Sequence, residues 1–179
     1  MPRSLLSIQK RYLESKTHVM DQCEEYFLET PIGTAKIRGN KEGISEISVV
    51  DSPPDSSKRI PEVLETCVKQ LQEYFKGERK DFSVPLNPRG TSFERGVWTE
   101  LLNIPFGKRT SYMKQTLKLG NKKAIRAVAR ANGKNPIWII IPCHRVVGSD
   151  GSLTGYAGGL WRKEWLLEHE NPSGQISLF

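Results

Sequence analysis

Long apolar runs are missing from this 179-residue chain. No stretch approaches the ~18 consecutive apolar residues that a membrane-spanning helix needs, and mean hydropathy is −0.49. Met1–Lys10 carries Arg3 and only short apolar runs, with no small-residue cleavage site, so no signal peptide is read there and a cytoplasmic protein is expected. Cysteine is scarce: Cys23, Cys67 and Cys143 are widely spaced with no C-x-x-C pair, which excludes a disulfide framework and a structural zinc site. Histidine is equally scarce, and His18 with Cys23 supplies at most half of a four-ligand set. No metal is expected.

Acid is missing where base is concentrated. Residues 1–90 hold 14 basic and 14 acidic side chains, whereas 91–179 hold 13 basic and 6 acidic, so the whole net charge of +7 lies in the second half. Between Leu101 and Ser149 there are ten Lys or Arg and no Asp or Glu. A single-sign field of that length attracts phosphate backbones. A solvated basic face is the plainer and weaker reading.

The elements read as an α+β chain in two parts. Leu5, Leu6, Ile8, Tyr12 and Leu13 suggest a short amphipathic helix or an arm. Strand-like runs at Glu25–Glu29, Thr34–Arg38 and Ile44–Val50, separated by turn formers, make an antiparallel meander. After the loop Asp51–Ser57, Pro61 opens a helix with Leu64, Cys67, Val68, Leu71 and Tyr74 at helical spacing, stopped by Gly77. Cys67 is a core residue on this pattern. Pro85, Pro88 and Gly90 mark a boundary, giving domains at 1–89 and 90–170 and a tail at 171–179.

Thr91–Glu94 fits a capping box for the next helix, closed by Pro105 and Gly107. Ser111 can cap a helix from Tyr112 to Leu119, Gly120 ends it, and Asn121 can cap another from Lys122 to about Asn132. So tight a junction suggests a helix-turn-helix, with a plain helical hairpin as the alternative. Lys122, Arg126 and Arg130 recur every four residues on one face, and Ala127 and Ala129 beside them leave room to approach a groove. Ile137–Ile141 reads as a buried strand that delivers Cys143, followed by His144 and Arg145, to the rim of a core. Thiolate is the nucleophilic form, and a cationic group or base nearby favours it, a part that Arg145, His144 and the surrounding positive field can fill. His144 then needs an orienting carboxylate, and Glu168 and Glu170 are the candidates on the last helix.

The ordered set Gly90-Thr91-x-Phe93, Val97-Trp98, Ser111-Tyr112, Arg126-Ala127-Val128, Asn135-Pro136, Pro142-Cys143-His144-Arg145, Gly155-Tyr156-Ala157-Gly158-Gly159 and Lys163-Glu164-Trp165-Leu166-Leu167-x-His169-Glu170 resembles the O6-alkylguanine-DNA alkyltransferase family. The resemblance spans essentially residues 90–170. It implies a ribonuclease H-like structural domain at 1–89 and a winged-helix-like DNA-binding domain with a helix-turn-helix at 90–170. It implies direct, irreversible transfer of an alkyl group from guanine O6 in duplex DNA to Cys143, once per molecule, as a monomer and without a cofactor.

The family pattern assigns roles residue by residue. A water links Cys143 to His144, which Glu170 orients; Tyr112 hydrogen-bonds the guanine; and Asn135 ties the recognition helix to the active-site strand. Arg126 matches the arginine that fills the space of a flipped base. Ser111, Lys122, Ala127, Ala129 and Arg130 complete the expected DNA face. Tyr156, Trp138 and the backbone around Val146 and Ala157 line the base pocket, with Trp138 and Trp161 bulky enough to exclude large alkyl groups. Members with Trp in place of the nucleophile bind lesions without repairing them, whereas this chain has Cys143. The zinc site of some relatives lacks its ligands here.

The end of the tail, Gln175-Ile176-Ser177-Leu178-Phe179, is similar to the short peptides by which bacterial polymerases and repair proteins bind the sliding clamp. A frayed or folded-back end is the alternative. Two other functions compete: a helix-turn-helix regulator or lesion-binding protein without transfer, and a Cys-His hydrolase that would turn over repeatedly.

Overall fold

A computed structural model describes residues 23–51 and 59–171. The helix or arm expected within 1–20, His18, most of the Asp51–Ser57 loop and the tail from Pro172 lie outside the described residues.

The chain opens with β1 (Glu24–Thr30), β2 (Gly33–Asn40) and β3 (Gly43–Val50), an antiparallel meander in that order. Period-two alternation puts Ala35 and Ile37 on the buried face, while Lys36 and Arg38 point outward to share Glu46 at 2.6 and 3.5 Å. Helix α1 (Glu62–Phe75) covers the sheet with Leu64, Cys67, Val68, Leu71 and Tyr74. The side chain of Gln70 clamps the following segment, donating to Ser83 Oγ at 2.8 Å and accepting from its N–H at 2.9 Å.

The remainder is mostly helical: α2 (Ser92–Leu101), β4 (Thr110–Ser111), α3 (Tyr112–Lys118), α4 (Ile125–Gly133), β5 (Val146–Val147) and α5 (Leu160–Glu170). The expected capping box starts α2, with Glu94 N–H on the Thr91 hydroxyl and Thr91 N–H on the Glu94 carboxylate. Ser111 caps α3 and Asn121 caps the segment before α4, whose first turn, Lys122–Ala124, is 3-10 rather than α. Trp98 of α2 donates to Ala131 O at 2.8 Å and locks α2 to α4, and Gln115 and Asn132 exchange two side-chain hydrogen bonds between α3 and α4. β4 and β5 form a parallel pair that periodicity could not announce. It sets Tyr112 beside the Cys143 segment.

The expected strand Ile137–Ile141 is a correction. Only Ile137 bridges to a strand, opposite Ile47 of β3, and the chain then coils: Ile140 N–H bonds Trp138 O and Ile141 N–H bonds Ile137 O. Ile139 takes φ +72°, a conformation that strains a β-branched side chain. A continuous apolar run reports burial rather than conformation, and burial is what these residues share. Pro136 and Pro142 also remove the donors a central strand needs.

Candidate active site

The coiled segment ends in a 3-10 turn, Cys143–Arg145. Asn135 organises it: its amide nitrogen donates to Ile141 O at 2.7 Å and to Cys143 Sγ at 3.1 Å, while its oxygen accepts from Ile137 N–H at 3.0 Å. Cys143 is only 7% exposed. Burial pushes its thiol up, and the Asn135 hydrogen bond and the Lys163 charge work against that rise. The resting sulfur is therefore a protonated thiol that needs a base. Cys67, pushed up to about 12 by burial, is an inert core thiol.

His144, fully buried, presents Nε2 to Glu170 Oε1 at 2.8 Å. Burial alone would raise the Glu170 carboxyl, but His144 and Arg145 outweigh it and hold it well below the usual carboxylate range. An ionised Glu170 fixes the imidazole proton on Nε2, so the lone pair sits on Nδ1. Nδ1 has no hydrogen-bond partner among the described residues. Burial also holds the imidazole below its ordinary pKa despite Glu170, which leaves it neutral and able to accept a proton. Of the two candidate acids the fold brings Glu170 to His144 and leaves Glu168 exposed.

Arg145 departs from the sequence reading. Its guanidinium donates to Glu170 Oε2 at 2.8 Å, to Oε1 at 3.0 Å and to Ile104 O at 2.6 Å, so its charge is used on the carboxylate instead of the thiol. Gly107 N–H adds a further donor to Oε2 at 3.2 Å. Gly107 has φ +72°, and a Cβ there would sit 3.0 Å from Glu170 O, so the close approach favours glycine.

A cavity of about 470 Å³ opens beside Cys143, which forms part of its wall. Tyr112, Trp138, Tyr156 and Ala157 line it. Tyr112 Oη donates to Thr154 O at 3.0 Å, and the Lys163 ammonium donates to Thr154 O and Gly155 O at 3.1 and 3.3 Å, bracing the loop that carries Tyr156. Trp138 leans on Tyr156 with ring centroids 5.3 Å apart. Gly158 makes room for them, since a Cβ there would meet the Trp138 ring at 2.5 Å.

The side chain of Val146 is fully buried in β5, which pairs it with Thr110. Trp161, expected near the pocket, falls elsewhere: it is 52% exposed, with Arg162 stacked on its ring at 4.5 Å, and lies outside the wall.

At the rim of the cavity stand Arg126 and Ala129 of α4. Lys122, Ala127 and Arg130 are exposed on the same stretch. Ser111 does not join them: it is 7% exposed, and its hydroxyl accepts from Lys114 N–H at 3.1 Å as the cap of α3. A residue that suits a helix cap turns its oxygen inward, which sequence alone could not separate from phosphate contact. Lys163 and Tyr74 went unassigned in the sequence. Their traces were Lys163 within the family pattern and Tyr74 on the apolar spacing of its helix, and both stand at buried positions.

Comparison with known proteins gives the following. Residues 24–88 match the 6-O-methylguanine DNA methyltransferase, ribonuclease-like domain, and residues 92–172 match the 6-O-methylguanine DNA methyltransferase, DNA binding domain. A methylated-DNA--protein-cysteine methyltransferase of Methanosarcina acetivorans is 44% identical over 147 residues, covering 79% of this chain and 94% of the relative. One of Mycobacterium tuberculosis is 42% identical over 155 residues, covering 84% and 94%. The crystal structure of Mycobacterium tuberculosis O6-methylguanine methyltransferase superposes with a TM-score of 0.76 at 38% identity, over 87% of this chain and 97% of that one. The structure of Mycobacterium tuberculosis OGT in complex with DNA gives 0.75 at 40% identity, over 83% and 92%.

Proposed function

This chain belongs to the 6-O-methylguanine DNA methyltransferase family, and we propose on that premise that it repairs DNA by moving an alkyl group from guanine O6 to Cys143. The observation that carries the reading is the sulfur of Cys143 in the wall of a cavity, 3.1 Å from Asn135, with a His144–Glu170 pair in the same turn and helix end.

His144 takes the thiol proton at Nδ1, with a water as the link. The thiolate attacks the alkyl carbon in line, the new S–C bond forms as the C–O6 bond breaks, and the purine leaves with the electron pair. Tyr112 turns its single O–H from Thr154 O to the departing guanine. No redox partner is involved and the thioether has no route back, so each molecule acts once. A hydrolase would regenerate its cysteine, and a regulator would have no use for the thiol.

The guanine O6 lies inside the duplex stack, so the nucleotide must turn out into the cavity. Arg126 on the rim is placed to fill the gap, while Lys122, Ala127, Ala129 and Arg130 meet the backbone and the minor groove. The α3–α4 pair thus serves as a helix-turn-helix with α4 as its reading helix. Residues 1–89 serve as a structural domain, 90–170 as the DNA-binding and transfer domain, and the protein works as a monomer in the cytoplasm, on nucleoid DNA where the source is bacterial. The tail at 171–179 ends in Gln175–Phe179, whose Leu178 and Phe179 suit an apolar pocket of a bacterial sliding clamp while Gln175 anchors the peptide.

The test pairs two substrates. With excess O6-methylguanine duplex, one methyl per molecule should be transferred and Cys143→Ser should transfer none while still binding the duplex. Arg126→Ala should lower the ratio of duplex to free-base transfer by roughly tenfold, the scale of a lost unstacking aid. Repeated turnover, or transfer by Cys143→Ser, overturns the reading.

A further inference from the structure

Glu170 Oε1, the oxygen that holds His144 and accepts from Arg145, has a third partner from the opposite half of the molecule. Tyr74 of α1 donates its hydroxyl to Oε1 at 2.9 Å across 96 residues of sequence. Its ring cannot swing away: Tyr74 is fully buried, with Phe75, Phe82, Phe106 and His169 around it at centroid distances of 5.4, 5.6, 6.2 and 5.1 Å. His169 also bonds the Tyr74 carbonyl at 2.7 Å, fixing α1 to α5.

We infer that Tyr74 is a positioning residue of the thiol-activating relay: its hydroxyl shares the Glu170 oxygen used by His144, so the ribonuclease-like half of the chain contributes to the active centre. The inference rests on the alkyl-transfer reading and deepens it. A carboxylate offers about four acceptor directions. Here five donors share them: His144 Nε2, Tyr74 Oη, two of the Arg145 N–H groups and Gly107 N–H. Each donor draws electron density from the carboxylate and lessens what remains for His144. Tyr74 therefore weakens the Nε2–H···Oε1 bond and keeps His144 a neutral base of moderate strength, while blocking rotation of the carboxylate.

The charged and titratable groups that face this pair are Cys143 and Arg145 on the 3-10 turn, Lys163 on α5, Tyr156 on the loop before it and Tyr74 on α1. Of these, only the Tyr74 hydroxyl is removed by Tyr74→Phe. Two readouts decide. In the free protein, the His144 Nε2 proton resonance should move downfield in Tyr74→Phe, as the bond to Oε1 strengthens. In single-turnover transfer, the acid limb of the rate profile should move up by about 0.5 to 1 pH unit, the size of one net hydrogen bond expressed as a pKa change. Placing 3-fluorotyrosine at position 74 alone gives a stronger donor of the same shape and should move both readouts the other way, which keeps the test available if Tyr74→Phe folds poorly.

Unmoved resonance and unmoved limb, even with lowered thermal stability, would make Tyr74 a packing residue and overturn the inference. If the wild-type protein transfers no methyl group, the alkyl-transfer reading fails instead, and the resonance in the free protein still decides whether Tyr74 tunes His144.

Discussion

Asn135 donates one hydrogen bond to the sulfur of Cys143, at 3.1 Å, and another to the carbonyl two residues before it, Ile141 O at 2.7 Å. One buried amide therefore sets both the path of the strained turn and the direction of the thiol. It also lowers the cost of ionising a sulfur that burial would otherwise keep protonated. Asn135→Ala should leave Ile137 N–H unpaired in a dry interior, at about 1–3 kcal/mol, while Ile141 O keeps the Cys143 N–H at 2.9 Å. It should slow methyl transfer by at least about tenfold, one pKa unit of thiolate stabilisation. Urea unfolding and single-turnover rates check both. Wild-type transfer in a destabilised variant would confine Asn135 to the fold.

Acid should unfold this protein early. Burial lowers the pKa of His144, and the Glu170 carboxyl is held well below its ordinary range despite burial, by His144 and Arg145. Both groups bind their proton less readily folded than unfolded, so each contributes stability above its unfolded pKa that is lost as pH falls. The loss starts near pH 6.5, where an unfolded histidine charges, and steepens below about 4.3, where an unfolded glutamate takes up its proton. The urea midpoint should fall between about pH 7.5 and 5 and fall faster below about 4.3. A midpoint flat from neutrality to pH 5 contradicts the buried neutral imidazole. Glu170→Gln, which strands the Arg145 charge, should cost about 3–5 kcal/mol at neutral pH.

How much of this was legible in the sequence depends on range. The meander, α1, and the caps at Thr91, Ser111 and Asn121 follow from local chemistry and appear where the residues place them. Adjacent Cys143 and His144 marked the site, and the family pattern chose Glu170 over Glu168. The turn at Ile139 and the two-residue pair β4–β5 were not legible, because tertiary hydrogen bonds to Ile47 and Thr110 decide them. Ser111 was misplaced because residue type does not say which way a side chain turns. Arg145 was read as a partner of the thiol, yet the carboxylate that captures it is 25 residues on, in α5.

Trp138 should set the size of the alkyl group. Its ring stands in the cavity wall against Tyr156 and over Gly158. Trp138→Ala should raise the rate for O6-benzylguanine relative to O6-methylguanine by about tenfold or more, the scale on which apolar pockets discriminate. Competition between the two lesions in otherwise identical duplexes measures it. An unchanged ratio would place the size limit elsewhere in the wall.

Deleting Gln175–Phe179 should abolish binding to a bacterial sliding clamp while transfer to Cys143 continues at the wild-type rate, because the active centre ends at Glu170. Short peptides bind with modest affinity after the entropy of ordering is met, so surface-immobilised clamp and micromolar protein are suitable conditions. Equal clamp binding by the intact and truncated chains would rule the tail out.

The most direct measurement is the mass of the intact protein, and of its Cys143 peptide, after incubation with a duplex containing O6-methylguanine. The account predicts a gain of about one methylene, about 14 Da, on Cys143 that saturates at one per molecule, as expected for a covalent acceptor with no regenerating step. An unmodified Cys143 with the duplex still bound, or a methyl group on Cys23 or Cys67, would contradict it.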